Sequence, residues 1–296
     1  MTIGVQSELA PMGRLRVGIN FGNVLLAARD GNGSPRGVAV DLARELARRV
    51  GVAMELVSYD SAGRMADAAK AGAWDAAFLA TDPARGEEIV FTAPYLEIDA
   101  TYLVPAGSPL AALADVDREE ARISVSEKSA YDLFLTRSLN RARLVRAPSP
   151  DASIALFFAE KLDALAGLRP LLVDVAEKHP GARVLDGRFT TVQQAVGTPK
   201  GRSAAAMYVR EFVEDIKASG LVAKTIERNG IRGVSVVAAC TSGIPRVNLN
   251  PKVYLLWFCR PQNWIELREH VVRFGVLFVA GHAARAGWKR FSFRFI

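Results

Sequence analysis

Cysteine is nearly missing from this chain, with two in 296 residues, Cys240 and Cys259. So few build no disulfide framework and leave the redox compartment open. Histidine is also scarce, with three. His179 precedes Pro180 without a metal-ligand partner at useful spacing, and His270 and His282 near Cys259 do not make a zinc set, so no metal is expected. There is no Gly-x-Ser-x-Gly elbow and no phosphate-cradling glycine loop with Lys-Ser/Thr. Before residue 240 no cysteine is present for nucleophilic work, and no cofactor is expected. The longest apolar runs of the tail, 253–259 and 275–280, are far too short to span a bilayer. Residues 1–13 carry neither the basic lead nor the apolar core of an export signal. As written, the chain reads as soluble and cytoplasmic, and an upstream start would make it periplasmic.

What charge there is lies unevenly. The formal net charge is +7. Residues 240–296 hold 9 Lys and Arg against 2 Asp and Glu, which leaves 29 of each sign in residues 1–239. The body is thus electroneutral, which removes the electrostatic case for nucleic-acid binding. Both cysteines, Trp257, Trp264 and Trp288 of the four tryptophans, and two of the three histidines also fall after residue 239. The tail is either a frameshift or read-through product or a native basic–aromatic segment. In the second case it offers a possible membrane-surface contact, although its arginines follow no helical stripe.

The body is long enough for two lobes. Residues 1–13 read as a loose arm, and Leu15, Val17 and Ile19 alternate as a first strand ending at Asn20-Phe21. An amphipathic helix over 41–49 closes at Gly51, and strands follow at 54–58 and 75–79. A similar unit begins after Pro109, with strands at 122–126, 144–146 and 162–166 and helices at 150–160 and 171–178. Residues 191–198 read as a long extended crossing before a last helix over 204–217. This alternation argues for a parallel α/β sheet.

One stretch carries chemistry: Ala77-Phe78-Leu79-Ala80-Thr81-Asp82-Pro83-Ala84-Arg85. It reads as a strand breaking into a helix that Asp82 caps, with Pro83 at its first position and Arg85 in its first turn. A helix start and a guanidinium together receive an anion, whereas the plain alternative is a turn with a solvated arginine. Ser129 with Asp132 has the spacing of a second cap.

With these pieces in place the chain resembles the type 2 periplasmic solute-binding proteins, in their amino-acid-binding branch, extracellular family 3. The resemblance rests on Leu15-Arg16-Val17-Gly18-Ile19, Gly37-Val38-Ala39-Val40-Asp41-Leu42-Ala43, Gly72-Ala73-Trp74-Asp75-Ala76, Asp82-Pro83-Ala84-Arg85 and Phe91-Thr92-Ala93-Pro94-Tyr95, in order over residues 14 to about 237. It implies an α/β, two-lobed type 2 fold with a ligand cleft between the lobes, plus an atypical C-terminal tail. The expected division is 14–104 for the first part of lobe 1, 105–192 for lobe 2, 193–239 for the return to lobe 1, and 240–296 for the tail.

The resemblance also implies a site. Arg85 matches the arginine that grips the ligand carboxylate. Lys128-Ser129 matches the second-lobe helix start, and Asn20 a pocket position after the first strand. Phe21 either stacks on the ligand or packs in the core. Phe78 stands where the family has glycine, Ala80 where it has a ligand-binding hydroxyl, and Thr81 belongs to the same stretch. Leu168 takes the place of the acidic residue for the α-amino group, with Arg169 beside it. A buried ammonium without an anionic partner is strongly disfavoured. The expected ligand is therefore a small organic anion without a free α-amino group. The expected function is capture of such a carboxylate by lobe closure, by a monomer and with an ABC permease as possible partner. The alternative is a cyclohexadienyl dehydratase-like enzyme on the same fold, for which Glu127 and Lys128 are the nearest proton-transfer candidates.

Overall fold

The computed structural model describes residues 3–240. Residue contacts divide the chain into units 1–239 and 240–296, and the tail's Cys259, tryptophans and His270 and His282 lie outside the described residues. In chain order the first part comprises α1 (Ile3–Leu9), β1 (Arg14–Asn20), β2 (Ala28–Arg29), β3 (Pro35–Arg36), α2 (Val38–Val50), β4 (Ala53–Tyr59), α3 (Ala62–Asp67), β5 (Ala76–Ala80), β6 (Ile89–Phe91) and β7 (Leu96–Val104). The middle comprises β8 (Arg122–Ser126), α4 (Ala130–Ser138), β9 (Arg143–Ala147), α5 (Pro150–Ala159), β10 (Ala164–Leu168), α6 (Arg169–Lys178) and β11 (Arg183–Val184). The chain then returns through β12 (Thr190–Pro199), α7 (Ser203–Ala218), α8 (Leu221–Arg228) and β13 (Val234–Val236).

The sheet runs β4-β1-β5-β12-β7-β10-β8-β9. Each end is parallel, β4-β1-β5 on one side and β10-β8-β9 on the other. The two long strands between them are antiparallel to their neighbours, so the all-parallel expectation is corrected to a mixed sheet. The reason lies in β7 and β12. The first half of β7 pairs with β12 and its second half with β10, while β12 passes from β7 to β5. Two extended crossings therefore join the parallel ends, and a two-lobed α/β body results.

Local chemistry explains the elements. Helix α2 buries Val38, Leu42, Leu46 and Val50 along one face and ends at Gly51, whose φ of 74° suits the left-handed cap. Gly37, at φ 117°, admits no side chain, because a Cβ there would stand 2.4 Å from Leu26 O. Asp75 is fully buried and takes Arg16 Nη2 at 2.8 Å and Arg202 Nη1 at 2.6 Å, tying β1 and β5 to the start of α7.

Two expectations change. The loose arm is in part the helix α1, which buries Leu9 completely and packs on α7. Glu8 Oε2 accepts the Ala205 N–H at 2.9 Å, capping α7 from a distance of many residues. The helix expected after Asp82 is a single 3-10 turn, Arg85–Glu87, preceded by an Asx turn in which Ala84 N–H donates to Asp82 Oδ1 at 2.9 Å. One turn sums too few peptide dipoles to act as an anion receptor.

Candidate functional site

The strand order directs the carboxyl ends of β1, β5, β8 and β10 toward one place, where an open α/β sheet holds its ligand. A cavity of about 60 Å³ lies there. Its walls include Asn20 at the end of β1, Phe78 and Ala80 of β5, Ser126 of β8 and Leu168 of β10. From the helices come Ser129, Ala130 and Tyr131 at the start of α4 and Leu171 of α6, and from β12 come Val192 and Gln194. The volume holds a few water molecules, so a whole organic solute requires the lobes to part.

The start of α4 is built locally. Ser129 caps the helix by accepting Asp132 N–H at 3.1 Å, while Asp132 Oδ2 accepts Lys128 N–H at 2.7 Å. Ser129 N–H is used by Ser126 O at 3.2 Å. The N–H groups of Ala130 and Tyr131 lie in the first turn, where a helix offers no internal acceptor, and both residues line the cavity. Burial pushes the Tyr131 phenol up to about 12 against the lowering effect of the Ser129 and Ser126 side chains, which keeps it neutral. No Asp, Glu, Lys, Arg or His lines this cavity among the described residues.

Asn20, Phe78, Ala80, Ser129 and Leu168 are thus brought together in one wall. Phe78 is held edge-on to Tyr95, with ring centroids 6.0 Å apart. Asn20 Oδ1 accepts Gly22 N–H at 3.0 Å and so also shapes its own turn. The other five named residues stand elsewhere. The Phe21 ring lies under the Arg29 guanidinium, 4.6 Å from its carbon, in a separate surface groove. Thr81 lines a neighbouring groove with Asp82, Arg137 and Gln193. Arg169 is turned to the loop after β11, donating to Leu185 O at 2.9 Å and to Gly187 O. Lys128 Nζ meets Asp67 Oδ2 at 2.7 Å. Glu127 is exposed and does not line the cavity either.

Arg85 does not line the cavity; it bonds the cavity-lining Ala80 and itself lines a separate groove with Asp67, Glu88 and Lys128. It is 6% exposed, and it donates Nη1 to Ala80 O at 2.6 Å and Nη2 to Lys128 O at 2.8 Å. Its Nε is buried without a partner, and among the described residues no carboxylate forms an ion pair with it. Burial lowers its guanidinium from 12.5 to about 10. The hydrogen bond to Lys128 O crosses from the β5 side to the β8 side of the cleft, as do Lys128–Asp67 and the two bonds of Arg137 to Asp82, at 2.8 and 3.3 Å. These contacts bridge the two sides of the cleft.

Sequence reasoning missed Asn23, Ser126, Tyr131, Val192 and Gln194. A signal existed for Val192 and Gln194: residues two apart on a crossing strand share a face. For Asn23 there was none, since its place depends on the fold of the loop after β1.

Among the described residues no helix is long and apolar enough to cross a membrane. The family model for bacterial extracellular solute-binding proteins, family 3, matches residues 15–230. Its description places the family outside the cell, which the cytoplasmic reading of the N-terminus did not provide for. No curated protein matches the chain. Among solved structures, the solute receptor for L-cysteine of Neisseria gonorrhoeae is 21% identical, with 78% of this chain and 96% of that one covered and a TM-score of 0.68. An amino acid ABC transporter substrate-binding protein from Streptococcus pneumoniae, bound to L-arginine, is 20% identical over 80% of this chain and 100% of that one, at a TM-score of 0.65. An ancestral amino acid-binding protein, described as a precursor of cyclohexadienyl dehydratase, is 22% identical over 75% and 97%, at 0.65. At such identities these likenesses show the fold, while the family model covers most of the sequence. The chain belongs to the bacterial extracellular solute-binding proteins of family 3.

Proposed function

We propose that this protein is the solute-binding component of an ABC-type importer and closes its lobes, divided near residues 105 and 193, on a small organic carboxylate lacking a free α-ammonium group. The observation that carries this reading is a buried cation beside a cavity without negative charge. Arg85 is almost fully buried and paired with carbonyls alone. A buried charge in that condition is stabilised by an anion that reaches it. When the lobes part, Lys128 O withdraws from Nη2 and a ligand carboxylate can take its place, with the Ala130 and Tyr131 N–H groups facing it from α4. The same walls disfavour an amino acid, because Leu168 ends β10 and no acidic side chain lines the cavity. A ligand ammonium there loses water and gains no counter-charge.

The family description supports work outside the cell, and the ABC transporter in the description of a structural neighbour supports a membrane permease as partner. The dehydratase alternative requires a proton donor or acceptor at the cavity. Neither Glu127 nor Lys128 lines it, and the Tyr131 phenol, pushed up to about 12 by burial, offers only a weakly acidic proton. Incubation with prephenate, followed by ultraviolet absorbance, separates the two readings, since a pure binder forms no phenylpyruvate. The main test is a thermal-shift screen over organic acids and their amino-acid counterparts, in which ligands of the native state raise the melting temperature. The expected result is a shift with acids that exceeds the shift with the matching amino acids. The reverse order overturns the proposal.

A further inference from the structure

Two carboxamides in the cavity wall have no side-chain hydrogen bond among the described residues, and one of their atoms, Asn23 Oδ1, is buried. Asn23 Oδ1 is buried without a partner, and the Asn23 amide nitrogen has none among the described residues. Its backbone, in contrast, is fully engaged, accepting Leu26 and Ala27 N–H at 3.0 Å. The turn therefore depends on the main chain of Asn23, and the side chain is left over. Gln194 is 5% exposed, lines the same cavity from β12, and its carboxamide has no partner among the described residues. A buried polar atom left unpaired costs roughly 1–3 kcal/mol, so a bound molecule that satisfies Asn23 Oδ1 and also pairs with the Gln194 amide gains what the empty site lacks.

The chemistry of that molecule follows from what an amide offers, which is one acceptor and one donor pair and no charge. An ammonium finds acceptors here but no carboxylate to neutralise it. A methyl or methylene group leaves both amides unpaired. A hydroxyl donates to one amide oxygen and accepts from the other amide's N–H, whichever way each amide is turned. We infer that Asn23 and Gln194 are specificity-determining residues that hold a ligand hydroxyl, so that the solute is a hydroxy acid and neither an amino acid nor an unsubstituted acid. The acid half of this statement rests on the carboxylate reading above, and the hydroxyl half stands on the two amides.

Calorimetric titration of the whole chain tests it with matched ligands on three carbon skeletons: propanoate, 4-methylpentanoate and 3-phenylpropanoate. Each skeleton is offered as the 2-hydroxy acid, the unsubstituted acid, the 2-amino acid and the methyl ester of the hydroxy acid. On the skeleton that binds, the hydroxy acid is expected to bind about 10- to 100-fold more tightly than the unsubstituted acid. Asn23→Ala and Gln194→Leu each shrink that ratio. If Asn23→Ala fails to fold, Gln194→Leu alone must reduce the ratio. Equal affinities for the hydroxy and unsubstituted acids overturn the inference, as does an unchanged ratio in the folded variants. A methyl ester that binds as tightly as its hydroxy acid, with the hydroxy acid still preferred over the unsubstituted acid, overturns the carboxylate reading and upholds the role of the amides. Binding of none of the ligands overturns both.

Discussion

Replacing Arg85 with methionine separates a ligand anchor from a structural tie. The change keeps an unbranched chain and removes the charge. In the ligand-free protein two terms oppose each other. Burial holds the guanidinium at about 10, against 12.5 in water, and at 1.36 kcal/mol per pH unit this is roughly 3 kcal/mol of unfavourable desolvation. Its two hydrogen bonds, at 2.6 and 2.8 Å to Ala80 O and Lys128 O, are charge-assisted and return about 1.5 kcal/mol each. Arg85→Met is therefore expected to change the unfolding free energy without ligand by less than about 2 kcal/mol, measured by urea titration. Its effect on a bound carboxylate is different in kind. Removing the cation from a desolvated charge pair costs about 2–5 kcal/mol, a loss of roughly 30- to several-thousand-fold in affinity by calorimetry. A ligand-free protein destabilised by more than about 3 kcal/mol would mark Arg85 as a tie between the lobes. Unchanged affinity for the acid would falsify its role as an anchor.

Three further outcomes follow from the geometry. Arg137→Met removes the two bonds to Asp82, whose side chain is 4% exposed, and since Arg137 itself is 47% exposed the loss is about 1–2 kcal/mol, felt in the closed state. Ligand affinity should then fall about 5- to 30-fold while small-angle scattering shows a larger radius of gyration without ligand, and an unaltered radius with unaltered affinity would contradict the latch. Asp75→Asn leaves Arg16 and Arg202 facing a neutral group inside the core and should cost about 3–5 kcal/mol, whereas a urea midpoint equal to the parent's would show that the cluster contributes nothing net. Asp117 is held at about 2 by the N–H groups of Ala142, Asn140 and Arg141. Because its folded value lies below the ordinary aspartate value of 3.8, its contribution is present above pH 4 and disappears as the pH falls through 2. Acid unfolding of Asp117→Asn should accordingly show a shallower slope in that window, and identical slopes would contradict the assignment.

Much of the architecture was readable from the chain because its signals are local. The periodicity of Leu42, Leu46 and Val50 with Gly51 after them marks α2, and the alternation of Leu15, Val17 and Ile19 marks β1. The strand expected over 122–126 is β8 as observed. Helix α8 escaped notice because its apolar residues Leu221, Val222 and Ile226 are few. The N-terminal helix α1 was missed because its stability comes from α7 and from Glu8 capping Ala205, a partner nearly two hundred residues away.

The site divides along the same line. Sequence by itself determined the family, the strand ends that bring Asn20, Ala80 and Leu168 to one cleft, and the lack of an acidic residue at Leu168. These follow from residue type and from topology, which the order of the elements already contains. Tertiary structure alone decided where the charges go. Arg85, Lys128 and Arg169 all read as cations for the cavity, yet their charges are engaged by Lys128 O, by Asp67 and by the loop at Leu185. A long flexible side chain can reach acceptors on several sides of its backbone, and which acceptor it meets depends on neighbours far off in sequence. Asn23 and Gln194 show the converse, since a buried amide becomes informative only when the fold has left it without a partner.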